Sequence, residues 1–275
     1  MTTRADIGRL LDVRAAEPTV LSLYLRVPRD PAALRDLPAR AEDLLARAGR
    51  GGTDDPDVRE AQDESRRTAR SMLEVHAREW LGHTVAVFAC AGPRFAETIV
   101  LPGAPADRAV FATRPHVRPL LAAVQRWPGA DRRAGGRPEQ SQAPQVPQEP
   151  GALTAIGVQA CLAAINQRAA RLLIVPETGM IPGFVCQRCA TLSSTGTDCP
   201  DWGAASLAVP DLIEEMAVTV LEDGGQVYAV DDPPGGIAAR LRFPLADAGE
   251  PRAPCFHRRQ RLMAETAPVR RAGGG

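Results

Sequence analysis

Apolar positions recur along this chain at two periods, one close to 3.6 and one close to 2, and their alternation predicts a mixed α/β protein. Residues 5–14 form an opening helix. The run Thr19-Val-Leu-Ser-Leu-Tyr-Leu25 concentrates β-branched and aromatic residues and predicts a buried strand. Residues 33–48 carry Leu34, Leu37, Leu44 and Leu45 at helical spacing, and a Gly-Gly-Thr-Asp-Asp-Pro loop ends that pattern. A second, highly charged helix follows over roughly 57–80. Three short β-type runs come next, His83–Ala89, Phe95–Leu101 and Ala109–Thr113. Pro-His-Val-Arg-Pro-Leu-Leu, residues 115–121, then turns into a short helix.

The pattern stops at residue 127. Residues 127–151, WPGADRRAGGRPEQSQAPQVPQEPG, are rich in Pro, Gln and Gly, and too poor in apolar side chains to offset the entropy of ordering them. They read as a linker. Beyond it, residues 154–168 space Ile156, Val158, Cys161, Leu162 and Ile165 for a helix with a wide apolar face. Arg171–Val175 is a strand. Pro210-Asp211 opens a helix to about Asp223, with Asp211, Glu214 and Glu215 near its start, where the helix dipole favours acids. Gln226–Val230 and Ile237–Phe243 are further strands. The expected organisation is an N-terminal α/β domain over 1–126, the linker, a C-terminal α/β sandwich over 152–246, and a tail over 247–275.

Charge refines this picture. The formal net charge is zero, so no bulk charge draws the molecule to nucleic acid or membrane. Residues 151–246 nonetheless hold ten carboxylates against five arginines, whereas 251–275 hold six arginines and one glutamate. Lysine is absent. The N-terminus lacks an apolar signal core and no segment reaches membrane-spanning length, so a cytoplasmic protein without a membrane partner is expected. Six cysteines, three of them clustered, fit a reducing compartment better than a disulfide framework.

That cluster is the densest candidate chemistry. Cys186-Gln-Arg-Cys189 is followed by nine residues and then Cys199-Pro-Asp-Trp-Gly203. Two Cys-x-x-Cys knuckles hold zinc tetrahedrally, and here Trp202 stands where a fourth sulfur is expected. The insert, 181–205, is therefore a degenerate zinc ribbon, with Cys186, Cys189 and Cys199 as candidate zinc ligands. Asp198, Asp201, Cys255 or His257 could complete the set; Trp202 offers only an N–H donor and could instead pack as core. Cys90 and Cys161 sit in apolar runs and read as small buried hydrophobes. His76, His83, His116 and His257 lie beside no recognisable nucleophile motif.

Several stretches together resemble the bacterial branch of the archaeo-eukaryotic class-1 release factor and Pelota superfamily. They are Leu21-Ser-Leu-Tyr-Leu25, Val85-Ala-Val-Phe88, Pro115-His-Val-Arg-Pro-Leu120, Ala170-Arg-Leu-Leu-Ile174, the cysteine insert, Pro210-Asp-Leu-Ile-Glu214 and Gly235–Phe243. The resemblance implies a C-terminal sandwich of the L7Ae type with a zinc insert. It also implies a role at the ribosome in release, rescue or hibernation, with a translational GTPase and rRNA or tRNA as partners. In such parents a middle domain carrying the catalytic glutamine separates the two matched blocks, and here the linker stands in its place.

Gly224-Gly225-Gln226 reproduces the release-factor tripeptide, but it lies at a helix end, where glycine caps and glutamine enters a strand. Gln140 follows Gly135-Gly136 within the linker. Arg258, Arg259 and Arg261 in the tail are candidate phosphate contacts, or simply a solvated end. Three readings follow: a ribosome-associated binding protein without its own catalytic domain, a peptidyl-tRNA hydrolase using Gln226 or Gln140, and a degenerate paralogue acting as an interaction protein.

Overall fold

A computed structural model of the chain describes residues 4–48, 54–92, 94–101, 106–126, 151–196, 198–199 and 202–245. Of the expected linker, 127–151, only Gly151 is described, in an isolated bridge to Thr154; the rest of it and the tail from 247 lie outside them. In the first half, α1 (Arg4–Leu11) precedes β1 (Val20–Arg26), followed by α2 (Leu37–Ala48) and α3 (Pro56–His76). Then come β2 (Thr84–Cys90), β3 (Phe95–Leu101), β4 (Arg108–Ala112) and α4 (Arg118–Arg126). The four strands form one antiparallel sheet in the order β3-β2-β1-β4.

Both faces of this sheet are covered, which is why β1 and β2 read as continuous apolar runs rather than alternating ones. Leu21, Leu23, Leu25, Val85 and Val87 face Leu37, Leu45, Ala69 and Leu73 of α2 and α3. Tyr24, Ala86 and Phe88 point the other way, toward Ile7 and Leu10 of α1 and Val117 and Leu120 around the start of α4. The α3 helix begins at Asp55, whose carboxylate accepts from the Asp57 amide, with Pro56 at its first position. Its last predicted turn tightens into a 3-10 segment, Ala77–Trp80, that buries Trp80.

The second half runs β5 (Thr154–Ile156), α5 (Val158–Asn166), β6 (Ala170–Pro176), β7 (Gly183–Cys186), β8 (Leu192–Ser193), β9 (Ser206–Val209), α6 (Leu212–Glu222), β10 (Gln226–Val230) and β11 (Ala238–Leu241). Its main sheet has the order β10-β6-β11-β5, with β10 parallel to β6 and β11 antiparallel to both its neighbours. The expected α/β class holds. The continuous helix read over 154–168 does not: residues 154–156 pair with β11, and Gly157, at a φ of 87°, turns the chain from strand into α5. Short apolar runs of this kind suit either state, and pairing with β11 decides.

One apolar cluster joins the halves. It extends from Tyr24 and Phe88 through Leu120 and Leu121 to Leu173, Met216 and Val227. The α4 helix, which closes the first half, packs against β10 of the second. Every residue from Leu212 to Val220 is buried, so α6 has no solvent face over its first two turns.

Gly224 adopts a φ of 73° after α6, and a Cβ on Gly225 would lie 2.6 Å from Val220 Cγ1 and 3.0 Å from the Arg171 carbonyl oxygen. Gly225→Ala is therefore expected to cost about 1–3 kcal/mol in chemical denaturation. Exposed Gln226→Ala should fall within about 0.5 kcal/mol of wild type. Equal effects from the two substitutions would contradict this packing role.

Candidate functional site

The densest polar constellation of the described residues lies between the halves. It grows from the Pro-His-Val-Arg-Pro run ahead of α4. The opening amides of a helix have no partner within it, and here a carboxylate from another helix takes them. Glu214 Oε1 accepts from the Val117 amide at 2.5 Å, and both its oxygens accept from the Arg118 amide at 3.2–3.3 Å. Pro119 has no amide to satisfy. Asp211 does for α6 what Glu214 does for α4: its Oδ1 accepts from the Ile213 amide at 3.1 Å. Its Oδ2 receives His116 Nε2 at 2.8 Å and Arg118 Nη2 at 2.6 Å. Arg118 also donates to the carbonyls of Pro176 and Gly179, at 3.1 and 2.5 Å. Tyr24 Oη donates to the His116 carbonyl at 2.5 Å, and Ser22 Oγ accepts from the His116 amide.

Around this centre, first-half arginines meet the remaining acids of α6. Arg114 reaches Glu215 and Glu222 at 3.4 and 3.0 Å, and Arg14 reaches Glu222 at 2.5 Å. The acid excess noted in the second half is thus partly answered by cations of the first.

Burial alone would push the Asp211 carboxyl up, but the His116 hydrogen bond and the positive charges of His116 and Arg118 outweigh it and hold it below its ordinary value. Glu215 is raised, because burial outweighs the opposing charge of Arg114. Burial, reinforced by the charge of Glu214, lifts the Tyr24 phenol well above its usual range. Burial and the nearby Arg118 charge lower Arg108.

An imidazole held by two carboxylates has the composition of an acid–base or metal site. His116, Asp211 and Glu214 present ligand atoms within 4.8 Å of one another. Neither use fits. Arg118, with no exposed surface, already stands on Asp211 as the local cation, and none of the three is more than 3% exposed. The cluster is sealed from substrate and acts as a bolt between α4 and α6.

The second constellation is the cysteine insert, a three-stranded sheet in the order β8-β7-β9. Cys186, Cys189 and Cys199 converge with sulfurs within 4.8 Å of one another, Cys189 and Cys199 at 3.5 Å, and all three are buried. Tetrahedral zinc, with Zn–S near 2.3 Å, requires sulfurs about 3.8 Å apart. These residues fit three of four ligand positions and could hold a metal ion. The Cys186 thiol, which burial alone would raise, is lowered by amide hydrogen bonds from Cys189 and Arg188; burial raises Cys189.

The two turns share two backbone bonds. Ala190 donates to the Cys186 carbonyl at 2.7 Å, and Gly203 to that of Cys199 at 2.8 Å. Cys186 donates to Thr191 O at 2.9 Å, and Cys199 to Ala204 O at 2.8 Å. Ala190 and Gly203 share the left-handed conformation, with φ of 58° and 59°. Trp202 is therefore the counterpart of Cys189. It is not core, as the sequence allowed: it is 38% exposed, with the Arg188 guanidinium 4.2 Å from its ring centre.

Of the other candidate donors, Asp198 is exposed and does not join the sulfur cluster, while Asp201, Cys255 and His257 lie outside the described residues. So do Gln140, Arg258, Arg259 and Arg261. Gln226 is the exposed first residue of β10, as expected of a strand entry. Cys90 and Cys161 are buried, also as expected, and burial lifts the Cys161 thiol to about 12. His116, Arg118 and Asp211 were not legible as a set. The available signal was Glu214 and Glu215 in an otherwise apolar helix, where a carboxylate must be buried and therefore partnered.

Neither a protein-family profile nor a curated protein matches the sequence. Among solved structures, the C-terminal domain of a peptide chain release factor from Methanosarcina mazei aligns over 34% of this chain and 71% of its own, at 18% identity and a TM-score of 0.24. An archaeal protein aligns over 87% of this chain and 97% of its own, at 11% identity and a TM-score of 0.32. Scores this low give a coarse likeness only, and the architecture above stands on its own strands and helices. Among the described residues, no helix is long and apolar enough to cross a membrane.

Arg118→Met takes a buried guanidinium away from Asp211 and Glu214 and is expected to cost about 3–5 kcal/mol at neutral pH. Because the folded Asp211 pKa lies below its ordinary value, near 4, its stabilising contribution is complete at neutral pH and lost as pH falls through that lowered value. Glu215, raised, has the opposite sign. The gap between mutant and wild type in urea denaturation should thus narrow in acid. A small cost that does not vary with pH would contradict the bolt.

Proposed function

We propose that this chain is a ribosome-associated binding protein of the release-factor and Pelota type, acting by docking rather than by chemistry of its own. The observation that carries this reading is the sealed bolt. The side chains with the make-up of an acid–base site are spent on fixing one half against the other. What remains outside is surface. The motif resemblance supports the reading from a second direction, because its segments fall on the central strands β1, β2 and β6 and on the two runs that build the bolt. Conserving a rigid relation between two surfaces suits a docking protein.

On this reading the N-terminal half approaches the decoding region, and the C-terminal half meets a translational GTPase or the ribosomal stalk. Residues 127–151 act as a spacer where hydrolytic relatives carry a middle domain. Cys186, Cys189 and Cys199 take zinc as a staple for the insert, and Arg258, Arg259 and Arg261 contact rRNA phosphate. The setting is the cytoplasm.

Tagged chain is expected to sediment with ribosomes from growing or starved cells, and to leave them as salt is raised. It should release no labelled peptide from peptidyl-tRNA. Absence from ribosomal fractions in both conditions contradicts the proposal. Release abolished by Gln226→Ala or Gln140→Ala would replace it with the hydrolase reading.

A further inference from the structure

The cysteine insert carries an inference about its fourth corner. It rests on reading the three thiols as metal ligands, and it adds what kind of site they make. Each Cys-x-x-Cys turn places two side chains toward a common centre by the same backbone bonds. Here both sets of bonds are intact, and the left-handed residue follows each second ligand position. Of the ligand positions in the two turns, only 202 does not carry a thiol. An indole has no lone pair to give a cation, since its nitrogen only donates.

We infer that the insert is an open metal site: a thiophilic divalent cation held by Cys186, Cys189 and Cys199, with its fourth position, at Trp202, free for an external ligand. Closed four-ligand zinc sites are structural, and sites with three protein ligands exchange the fourth. Among the described residues no fourth cysteine, histidine or carboxylate joins the sulfur cluster, and Asp198, the nearest acid by sequence, is exposed. Trp202 is 38% exposed whereas the three cysteines are buried, so the Trp202 side of the cluster is the one that faces solvent.

Charge selects the ligand class. A dication with three thiolates has a net charge of −1, and a neutral imidazole-type nitrogen completes a tetrahedral set without adding to it. Arg188, over the Trp202 ring, is the cation beside this corner and offsets part of the excess. The fitting partner is a histidine side chain presented by another molecule.

Cobalt(II), which reports thiolate number and geometry in its visible bands, is the probe, added to the reduced full-length chain. Wild type is expected to bind cobalt and to shift its bands saturably when imidazole is added. Trp202→Cys should bind at least about tenfold more tightly, as expected when a ligand is gained, and lose the imidazole response. Trp202→Ala should keep the response. Cobalt bands in wild type that are already those of four protein donors and ignore imidazole would overturn the open site while leaving the metal reading intact. So would an unchanged affinity in Trp202→Cys. Failure of both wild type and Trp202→Cys to bind cobalt would remove the metal reading itself, and this inference with it.

Discussion

Glu214 caps a helix to which it does not belong, and the packing of the two described halves depends on that exchange. The opening amides of α4 have no partner within their own helix, and they find one on α6. A buried carboxylate needs a counter-charge and donors, and Arg118 and those amides supply them. Each half holds the polar groups that the other cannot leave buried alone. Apolar contact by itself tolerates sliding, whereas a sealed set of charge-assisted bonds has one register. The shared apolar cluster adds the area, and the bolt sets the geometry.

The same logic explains why a helix as apolar as α6 carries Asp211, Glu214 and Glu215 at its start. Read as residues favoured by the helix dipole, they belong on a surface. In the fold they are among the most buried polar groups, with Asp211 serving both as cap to α6 and as acceptor for His116 and Arg118. Strand positions were legible because β1, β2 and β6 are long apolar runs with strong β character. The bolt was not, because it joins residues some ninety-five positions apart, and no local pattern pairs them. Residues 154–156 were misread for a related reason: pairing with β11, a long-range event, made them a strand.

The cysteine turns show the reverse case. Spacing alone located both knuckles, and the matched backbone bonds place Trp202 where a ligand would stand. What spacing did not give was the exposure of Trp202 and the stacking of Arg188 on its ring, both of which are tertiary facts. Among the described residues, then, two side-chain clusters stand out: a buried polar one that joins the halves, and a buried set of three thiols that could hold a metal ion.

Hydrogen exchange at the amides of Val117 and Arg118 tests the bolt most directly. If the halves open only when the whole protein unfolds, these two amides exchange as slowly as those of Leu23 and Leu173 in the central strands, although their acceptor is a side chain. Exchange at Val117 and Arg118 far faster than at those strand positions, under conditions where the strands remain protected, would show α4 and α6 separating on their own and contradict the account.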